Sequence, residues 1–284
     1  MTMADSIISI SKLLSLNYSP LILDIWGVIH DGSNLYHGAQ DFMRELNSRK
    51  IDYYFLSNTP RPVASTYKKL TSLGLDIDPN KIVTSGDFFL SFLANSSLYP
   101  DISINAKGKF AVVGLEKNDE LLRDAQINIV DDFKSADYFI MLAFADSLGE
   151  VDKYSMLLQE ALKYNLPMIC INPDKIVYQG DNKRYCQGYM AQIYQEMKGQ
   201  VYYFGKPYKS IYQYLFTKYK LNKSRALMIG DSLDTDIGGA NTFGIDSALL
   251  LTGIHKDEPN VSNLIKLHTN KPEFILKNLV GVNE

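Results

Sequence analysis

The sequence contains few cysteines, no long apolar run and no large excess of charge of either sign. Cys170 and Cys186 are the two cysteines in 284 residues. Neither has a CxxC partner, which predicts reduced thiols and no disulfide framework. The longest uncharged run, residues 88–100, contains Ser, Asn and Pro, whereas a membrane span needs about 20 apolar residues. With 29 basic and 32 acidic residues, the net charge of −3 gives no reason to expect nucleic acid or an anionic membrane as a partner.

The N-terminus also lacks the features of a secretory signal. It carries Asp5 and no basic segment, and Lys12 interrupts its apolar stretch. A signal peptide is therefore not expected, and we expect a cytoplasmic protein. Residues 7–16 instead have the spacing of an amphipathic opening helix.

Short apolar runs alternate with helical patterns along the chain. The runs are 21–24, 52–56, 110–113, 138–144, 167–171, 201–204, 226–229 and 247–251. Most are continuously apolar, as expected for strands that are covered on both faces. The alternation predicts an α/β protein with doubly wound parallel sheets. Polar clusters follow the runs that end near residues 24, 57, 206 and 231, and ligands bind beyond the carboxyl ends of such strands.

The first cluster begins at Asp24, at the end of a continuously apolar run. The segment 23–32 reads LDIWGVIHDG, and Gly27 permits a tight turn after the strand. A carboxylate at the end of a buried strand is costly unless a cation compensates it. Asp24 is therefore a candidate nucleophile and metal ligand, although an aspartate that caps a loop is a common alternative.

Ser57, Asn58 and Lys206 follow two other apolar runs. Ser57 and Asn58 supply a hydroxyl, an amide and backbone N–H groups ahead of a helix. Such a setting binds phosphate, but it also suits a plain helix cap. Lys206 can neutralise a phosphate or a nucleophilic aspartate as a point charge. A solvated lysine in a surface turn is the alternative.

The fourth cluster places three carboxylates directly after an apolar run. They are Asp231, Asp234 and Asp236. Mg²⁺ prefers hard oxygen ligands of this kind. Asp234 or Thr235 could cap the helix that follows, but capping does not account for all three acids. The cluster therefore predicts a magnesium site.

Taken in order, these motifs resemble the haloacid dehalogenase (HAD) superfamily over essentially the whole chain. The Gly27-Val28 pair, the Ser57-Asn58 pair and the segment 172–174, Asn-Pro-Asp, are similar to class IIA. That class comprises sugar-phosphatase-like and nitrophenylphosphatase-like proteins with an α/β cap of the C2 type.

The resemblance implies two domains. A doubly wound HAD core would comprise residues 1–85 and 198–284, and an inserted cap domain would comprise residues 86–197. The length of the chain agrees with about two domains.

The resemblance also implies a role for each motif residue. Asp24 would be the nucleophile that forms an aspartyl-phosphate, and Lys206 would balance its charge and that of the phosphate. Ser57 and Asn58 would bind the phosphoryl group, and Asn172 and Asp174 would contact the substrate or lie at the hinge. Mg²⁺ would be bound by Asp24, Asp231 and the backbone carbonyl of Trp26. Asp236 would complete the metal site by orienting a metal-bound water or the lysine.

Trp26 departs from the phosphatase pattern. The second residue after the nucleophile is normally an aspartate that protonates the leaving group and then activates water. An indole N–H only donates hydrogen bonds. Its presence here should therefore cost the rate enhancement of about 10²–10⁴-fold that general acid–base catalysis typically contributes. Aryl and acyl phosphates should suffer less than sugar phosphates because they leave as stabler anions. His30, Asp31 and His37 are nearby acids, but solvated loop residues are the simpler interpretation.

The sequence thus predicts an Mg²⁺-dependent HAD hydrolase. We expect a phosphatase for a small phosphorylated metabolite that is sugar-phosphate-like or has a good leaving group. One alternative is a catalytically impaired HAD protein that binds a ligand or regulates, and another is a non-phosphatase HAD hydrolase. Dehalogenases carry Tyr at the position of Trp26, but they use no metal, so Asp231 and Asp236 speak against them. A homodimer remains open.

Overall fold

The computed structural model describes residues 7–114 and 119–281. Asp5, which contributed to the expectation about a signal peptide, lies outside these ranges. Within them the strands are β1 Ile7–Ile8, β2 Leu21–Leu23, β3 Tyr53–Ser57, β4 Ile82–Thr84, β5 Lys109–Val113, β6 Asn128–Ile129, β7 Tyr138–Met141, β8 Met168–Cys170, β9 Ile176–Gln179, β10 Asn182–Tyr185, β11 Val201–Tyr203, β12 Leu227–Gly230, β13 Asp246–Leu250 and β14 Phe274–Leu276.

The α-helices connect these strands. Their bounds are α1 Ile10–Ser15, α2 Ala39–Ser48, α3 Val63–Ser72, α4 Ser85–Ala94, α5 Asp119–Ala125, α6 Leu148–Lys163, α7 Gln187–Glu196, α8 Lys209–Lys218, α9 Gly238–Phe243 and α10 Val261–Leu267. A π-helical turn, Leu233–Ile237, leads into α9. No helix in the described ranges is both long and apolar enough to cross a bilayer.

The strands form two parallel sheets and a hairpin. The larger sheet has the order β1-β14-β13-β12-β2-β3-β4 and the smaller one β11-β8-β7-β5-β6, with parallel pairing throughout. β9 and β10 pair as an antiparallel hairpin. Parallel neighbours need crossover connections, which the helices supply. The predicted α/β class with doubly wound parallel sheets is confirmed.

The opening segment differs from its prediction. Ile7 and Ile8 form an edge strand on β14, and the helix begins only at Ile10. Ser9 caps that helix by accepting a hydrogen bond from the Lys12 N–H. The apolar residues at 7 and 8 thus serve the sheet, and the side chain of Ser9 fixes where the helix starts.

The division of the chain into core and cap remains a proposal. The smaller sheet takes its strands from residues 109–203, within or close to the proposed cap 86–197. Its edge strand Val201–Tyr203 pairs with β8. This pairing favours a boundary after residue 203, a few residues later than the predicted start of the second core segment at 198.

An aromatic cluster connects the two sheets where the chain passes between them. Phe88, Phe89 and Phe92 of α4 surround Phe204, with ring centroids 4.9–5.4 Å apart. All four side chains are fully buried. Side chains of both sheets, including Ile22, Leu56, Phe110, Ile140 and Ile169, belong to the same apolar core. This shared core packs the two sheets against each other.

Candidate active site

Three buried carboxylates meet at the carboxyl ends of β2 and β12. Asp24 follows β2, and Asp231 and Asp236 follow β12, the strand that pairs with β2. One oxygen of each carboxylate lies within 4.8 Å of the others. We call Asp24, Asp231, Asp236 and the lysine described next the acidic cluster. The adjacent parallel strands place these residues together as the sequence analysis expected.

Lys206 is buried between two of these carboxylates. Its Nζ donates to Asp24 Oδ1 at 2.6 Å and to Asp236 Oδ1 at 2.7 Å, and the residue is 1% exposed. Burial alone would lower the pKa of Lys206, but Asp236 and Asp24 raise it above the ordinary value. The side chain is therefore a permanent cation inside the cluster, and the surface-turn alternative is excluded.

The acidic cluster carries more negative charge than one ammonium balances. Burial, together with Asp236 and Asp24, raises the pKa of Asp231 well above its usual value. Burial also raises the pKa of Asp24 to about 7, although Lys206 opposes this shift. A divalent cation would compensate the remaining charge, and carboxylate oxygens are the donors that a hard cation takes. The donor set therefore fits a metal such as Mg²⁺.

Asp231 lies in a cradle that two glycines make possible. A Cβ on Gly27, whose φ is +90°, or on Gly253 would clash with Asp231 Oδ2. The backbone N–H of Ile254 donates to the same oxygen at 2.7 Å. The sequence analysis missed the segment 252–254. It directly follows β13, which lies in the same sheet as β2, β3 and β12, so a further strand end on that sheet edge was the available signal.

Asn58 connects the phosphate-binding segment to the lysine segment. Its Oδ1 accepts the Lys206 N–H at 2.7 Å, and its Nδ2 donates to the Lys206 carbonyl at 3.0 Å and to Asp174 Oδ1 at 2.8 Å. Both amide hydrogens are therefore used within the protein. This geometry suits a positioning role for Asn58. Ser57 lines the Asp24 cavity described below, and phosphoryl binding by either residue stays a prediction.

Asn172 and Asp174 bring the segment after β8 to the same place. Asn172 Oδ1 accepts the backbone N–H of Asp174 at 3.1 Å. Both residues line the cavity that contains Asp24. Burial is the main cause that raises the pKa of Asp174. The predicted position beside the substrate pocket agrees with this lining, and a substrate contact by either residue stays a prediction.

The indole of Trp26 contacts the β9–β10 hairpin. Its Nε1 donates to the backbone carbonyl of Tyr178 at 2.9 Å, and its ring meets the His30 ring edge-on at 5.2 Å. The indole is thus fixed by a residue 152 positions away along the chain. The expected metal contact of the Trp26 carbonyl remains a prediction.

The structure excludes one alternative and one expectation about neighbouring residues. Ser232, not Asp234 or Thr235, caps the helical turn by accepting the Thr235 N–H at 3.1 Å. Asp234 is exposed and pairs with His268 at 3.1 Å. His30 is not a solvated loop residue, because it is 4% exposed.

The three nearby acids do not replace the missing catalytic aspartate on this geometry. Burial and the charge of Lys69 lower the pKa of His30 to about 4, so its imidazole is neutral at neutral pH. Burial raises the pKa of Asp31, but N–H bonds from Asn34 and Ser33 lower it overall. His37 is absent from the lining of the Asp24 cavity.

A cavity of about 330 Å³ lies beside Asp24, and we call it the Asp24 cavity. It is lined by Asp24, Ile25, Trp26, His30, Gly32, Ser57, Thr59, Pro60, Arg61, Thr66, Lys69, Phe144, Asn172, Asp174, Val177, Gln179 and Arg184. Ser57 at the end of β3, segments that follow strands of both sheets, and residues of the hairpin contribute to it. A second cavity of about 620 Å³ shares Asp174 but is not lined by Asp24. Asp24 also lines a narrow space of about 20 Å³ together with Asp231 and Asp236, so it lies between the other carboxylates and the Asp24 cavity.

Comparison with protein families gives two matches. Residues 21–128 match a model described as haloacid dehalogenase-like hydrolase, and residues 203–282 match a model described as HAD-hydrolase-like. The two matches include every residue of the acidic cluster.

Individual relatives match over nearly the full chain. The acid sugar phosphatase of Staphylococcus haemolyticus is 26% identical over 94% of this chain and 97% of its own length. The sugar-phosphatase AraL of Bacillus subtilis is 26% identical over 93% and 92% of the two chains. The crystal structure of a haloacid dehalogenase-like hydrolase from Brucella suis superposes with a TM-score of 0.79 at 25% identity, covering 96% and 99% of the two chains.

Proposed function

The chain is a hydrolase of class IIA of the haloacid dehalogenase superfamily, and from that premise we propose that it is an Mg²⁺-dependent phosphatase acting through an aspartyl-phosphate. The observation that carries the proposal is the buried contact of Lys206 with both Asp24 and Asp236 beside a cavity. A nucleophilic carboxylate held by a fixed cation suits phosphoryl transfer, which depends on positioning and charge neutralisation.

The proposed reaction has two steps. A carboxylate oxygen of Asp24 attacks phosphorus, and the bond from phosphorus to the leaving oxygen breaks as the new bond forms. Lys206 orients the carboxylate, and Ser57 offers its hydroxyl to a phosphoryl oxygen. Water then attacks the phosphorus of the aspartyl-phosphate, which releases inorganic phosphate and restores Asp24.

Asp24, Asp231 and Asp236 would hold the metal, with the Trp26 carbonyl as a further ligand. Bound Mg²⁺ would supply positive charge to the phosphoryl oxygens. The protein's own contribution is the cradle of Gly27 and Gly253, which lets Asp231 enter the site.

The indole of Trp26 cannot protonate the leaving oxygen of the substrate. The neutral His30 can donate a hydrogen bond but has no readily lost proton. We therefore propose that the favoured substrates are small phosphorylated metabolites whose leaving groups are stable as anions. The names of relatives, such as sugar phosphatase, support a phosphorylated metabolite as the substrate. We also propose a cytoplasmic location.

A panel of aryl, acyl and sugar phosphates, each assayed with Mg²⁺ and with a chelator, tests the proposal. We expect turnover that needs the metal and declines from acyl and aryl to sugar phosphates. Trapping the acyl-phosphate on Asp24 by rapid acid quench and mass spectrometry tests the intermediate. Binding of vanadate without turnover of any compound would favour the impaired, ligand-binding alternative, for which the substitution at Trp26 is the specific observation.

A further inference from the structure

The Asp24 cavity carries positive charge that the acidic cluster does not use. Arg61, Lys69 and Arg184 line it, whereas Asp24 and Asp174 are its only acidic lining residues. Asp24 is already bound to Lys206. The cavity therefore presents cations beyond those that one transferred phosphoryl group needs.

Two of these cations are not neutralised by other described residues. Arg61 precedes α3 and Lys69 lies in its last turn. Neither side chain has a hydrogen bond or ion pair with any residue of 7–114 or 119–281. Arg184, in contrast, pairs with Asp146 and contacts Gln179. Unpaired cations in a concave site raise the local concentration of anionic ligands.

A buried hydroxyl lies beside these cations. Thr66 lines the same cavity, and its Oγ1 is buried without a hydrogen-bond partner among the described residues. Leaving such a group unsatisfied costs about 1–3 kcal/mol. A ligand oxygen in the cavity would remove that cost.

His30 offers a further donor to the cavity. Its Nδ1 accepts the Gly32 N–H at 2.8 Å, so this ring nitrogen carries no hydrogen. The ring hydrogen is therefore on Nε2, for which the described residues provide no acceptor. A neutral imidazole of this tautomer donates a hydrogen bond.

We propose that the substrate carries a second anionic group, which Lys69 and Arg61 bind with help from Thr66 and His30. This inference rests on the proposed phosphatase function and extends it to a substrate class: a small phosphorylated acid or a bisphosphate. Guanidinium groups match both carboxylates and phosphates. A volume of about 330 Å³ is near the lower end for ligand pockets, about 300–1,000 Å³, which favours a small molecule.

Three substrates on one carbon chain test the proposal. They are 3-hydroxypropyl phosphate, 3-phosphooxypropanoate and propane-1,3-diol bisphosphate, which differ only in a neutral, carboxylate or phosphate tail. We expect kcat/KM to be about tenfold higher or more for an anionic tail, and the order of the two anionic substrates identifies the preferred group. The advantage should shrink at high salt.

Lys69→Met should remove most of this advantage. Its kcat/KM should fall about tenfold for the two anionic substrates and much less for the neutral one. Lys68→Met is the matched control because Lys68 is exposed on the same helix and does not line the cavity. Equal kcat/KM for all three substrates, or equal losses in the two lysine variants, would overturn the inference.

A binding measurement separates this inference from the proposed function. Calorimetric titration with 4-phosphonobutanoate and with butylphosphonate requires no turnover. We expect the native protein to bind 4-phosphonobutanoate about tenfold more tightly than butylphosphonate, and Lys69→Met to bind the two compounds with similar affinity. If no substrate is turned over but the preference for the diacid persists, the phosphatase function is refuted and the anion site is retained. Turnover with equal affinities would refute the anion site alone.

Discussion

Lys206 contacts Asp24 and Lys69 lines the Asp24 cavity, yet the two lysines have opposite surroundings. Lys206 is 1% exposed and contacts two carboxylates at 2.6 and 2.7 Å. Lys69 is half-buried on the wall of the Asp24 cavity and has no ion pair with any described residue. The same residue type therefore has a partner built into the chain in one place and lacks one in the other.

The difference separates charge that organises the site from charge that is available to a ligand. In the acidic cluster, buried groups fix one another, and removing Lys206 would leave buried carboxylates without their cation. On the wall with Lys69, no buried partner depends on the cation. We expect the first region to govern stability and chemistry together and the second to govern the choice of substrate.

The largest effect should come from the nucleophile. Asp24→Asn keeps the shape of the side chain and an oxygen for Lys206, but an amide is a poor nucleophile. Activity should fall by more than about 10³-fold. Asp234→Asn is the control, since this aspartate, which belongs to the sequence cluster of Asp231 and Asp236, is exposed. Initial rates with p-nitrophenyl phosphate measure both, and comparable rates in the two variants would contradict the role of Asp24.

The two lysines should differ in their effect on stability. Lys206→Met leaves buried carboxylates without their cation, which costs about 3–5 kcal/mol of the free energy of unfolding. Lys69→Met should change it by no more than about 0.5 kcal/mol. Urea unfolding in the presence of a chelator measures both values. Similar losses would remove the distinction between the two regions.

Metal binding should couple the acidic cluster to pH. Burial raises the pKa of Asp24 from 3.8 to about 7, so the native state holds this proton more tightly than the unfolded chain does. The resulting stability is fully present below about pH 3.8 and is lost as the pH rises through about 7. Without a divalent cation, the protein should therefore be less stable at pH 8 than at pH 5.

Mg²⁺ binds the deprotonated carboxylates, so it should stabilise the protein more at pH 8 than at pH 5. At a hundredfold excess over its Kd the gain is about 2.7 kcal/mol. Thermal melts at both pH values, with chelator or with Mg²⁺, measure this. Asp231→Asn should lose most of the gain, and a gain independent of pH would argue against these carboxylates as ligands.

Trp26→Asp should be the one variant of this series that increases activity. A restored acid–base group should raise kcat/KM for alkyl phosphates by at most about 10²-fold and change p-nitrophenyl phosphate little. Trp26→Phe is the matched control, because it removes the bond to the Tyr178 carbonyl without adding an acid. A folded Trp26→Asp protein without any gain on alkyl phosphates would show that the acidic cluster is not arranged for this reaction.

The residues predictable from sequence are those that follow apolar strands. Asp24, Ser57, Lys206 and Asp231 each lie next to a run whose period and length mark it as a buried strand. The carboxyl ends of β2, β3 and β12 share one edge of the larger sheet, so local patterns were sufficient to place Asp24, Ser57 and Asp231 together. Lys206 follows β11 of the smaller sheet, and its arrival at the same site depends on how the two sheets pack. The matching short segments also carried the resemblance to the superfamily.

Other parts of the site depend on distant contacts that local patterns do not encode. The hairpin strand β10 reads NKRY, a polar run with no apolar signal, yet the hairpin fixes the Trp26 indole. Thr66 and Lys69 have helical spacing, but that spacing does not tell which of their neighbours face a cavity. Gly253 is an isolated glycine, and its importance follows only from the approach of Asp231.

The ring of aromatic side chains around Phe204 also bears on how the protein comes apart. Phe88, Phe89 and Phe92 belong to the helix by which the chain leaves the larger sheet, and Phe204 marks its return. Exposing these rings to water would remove apolar burial from the larger and the smaller sheet at the same time. The two sheets should therefore melt as one cooperative unit, and neither is expected to survive as an excised fragment.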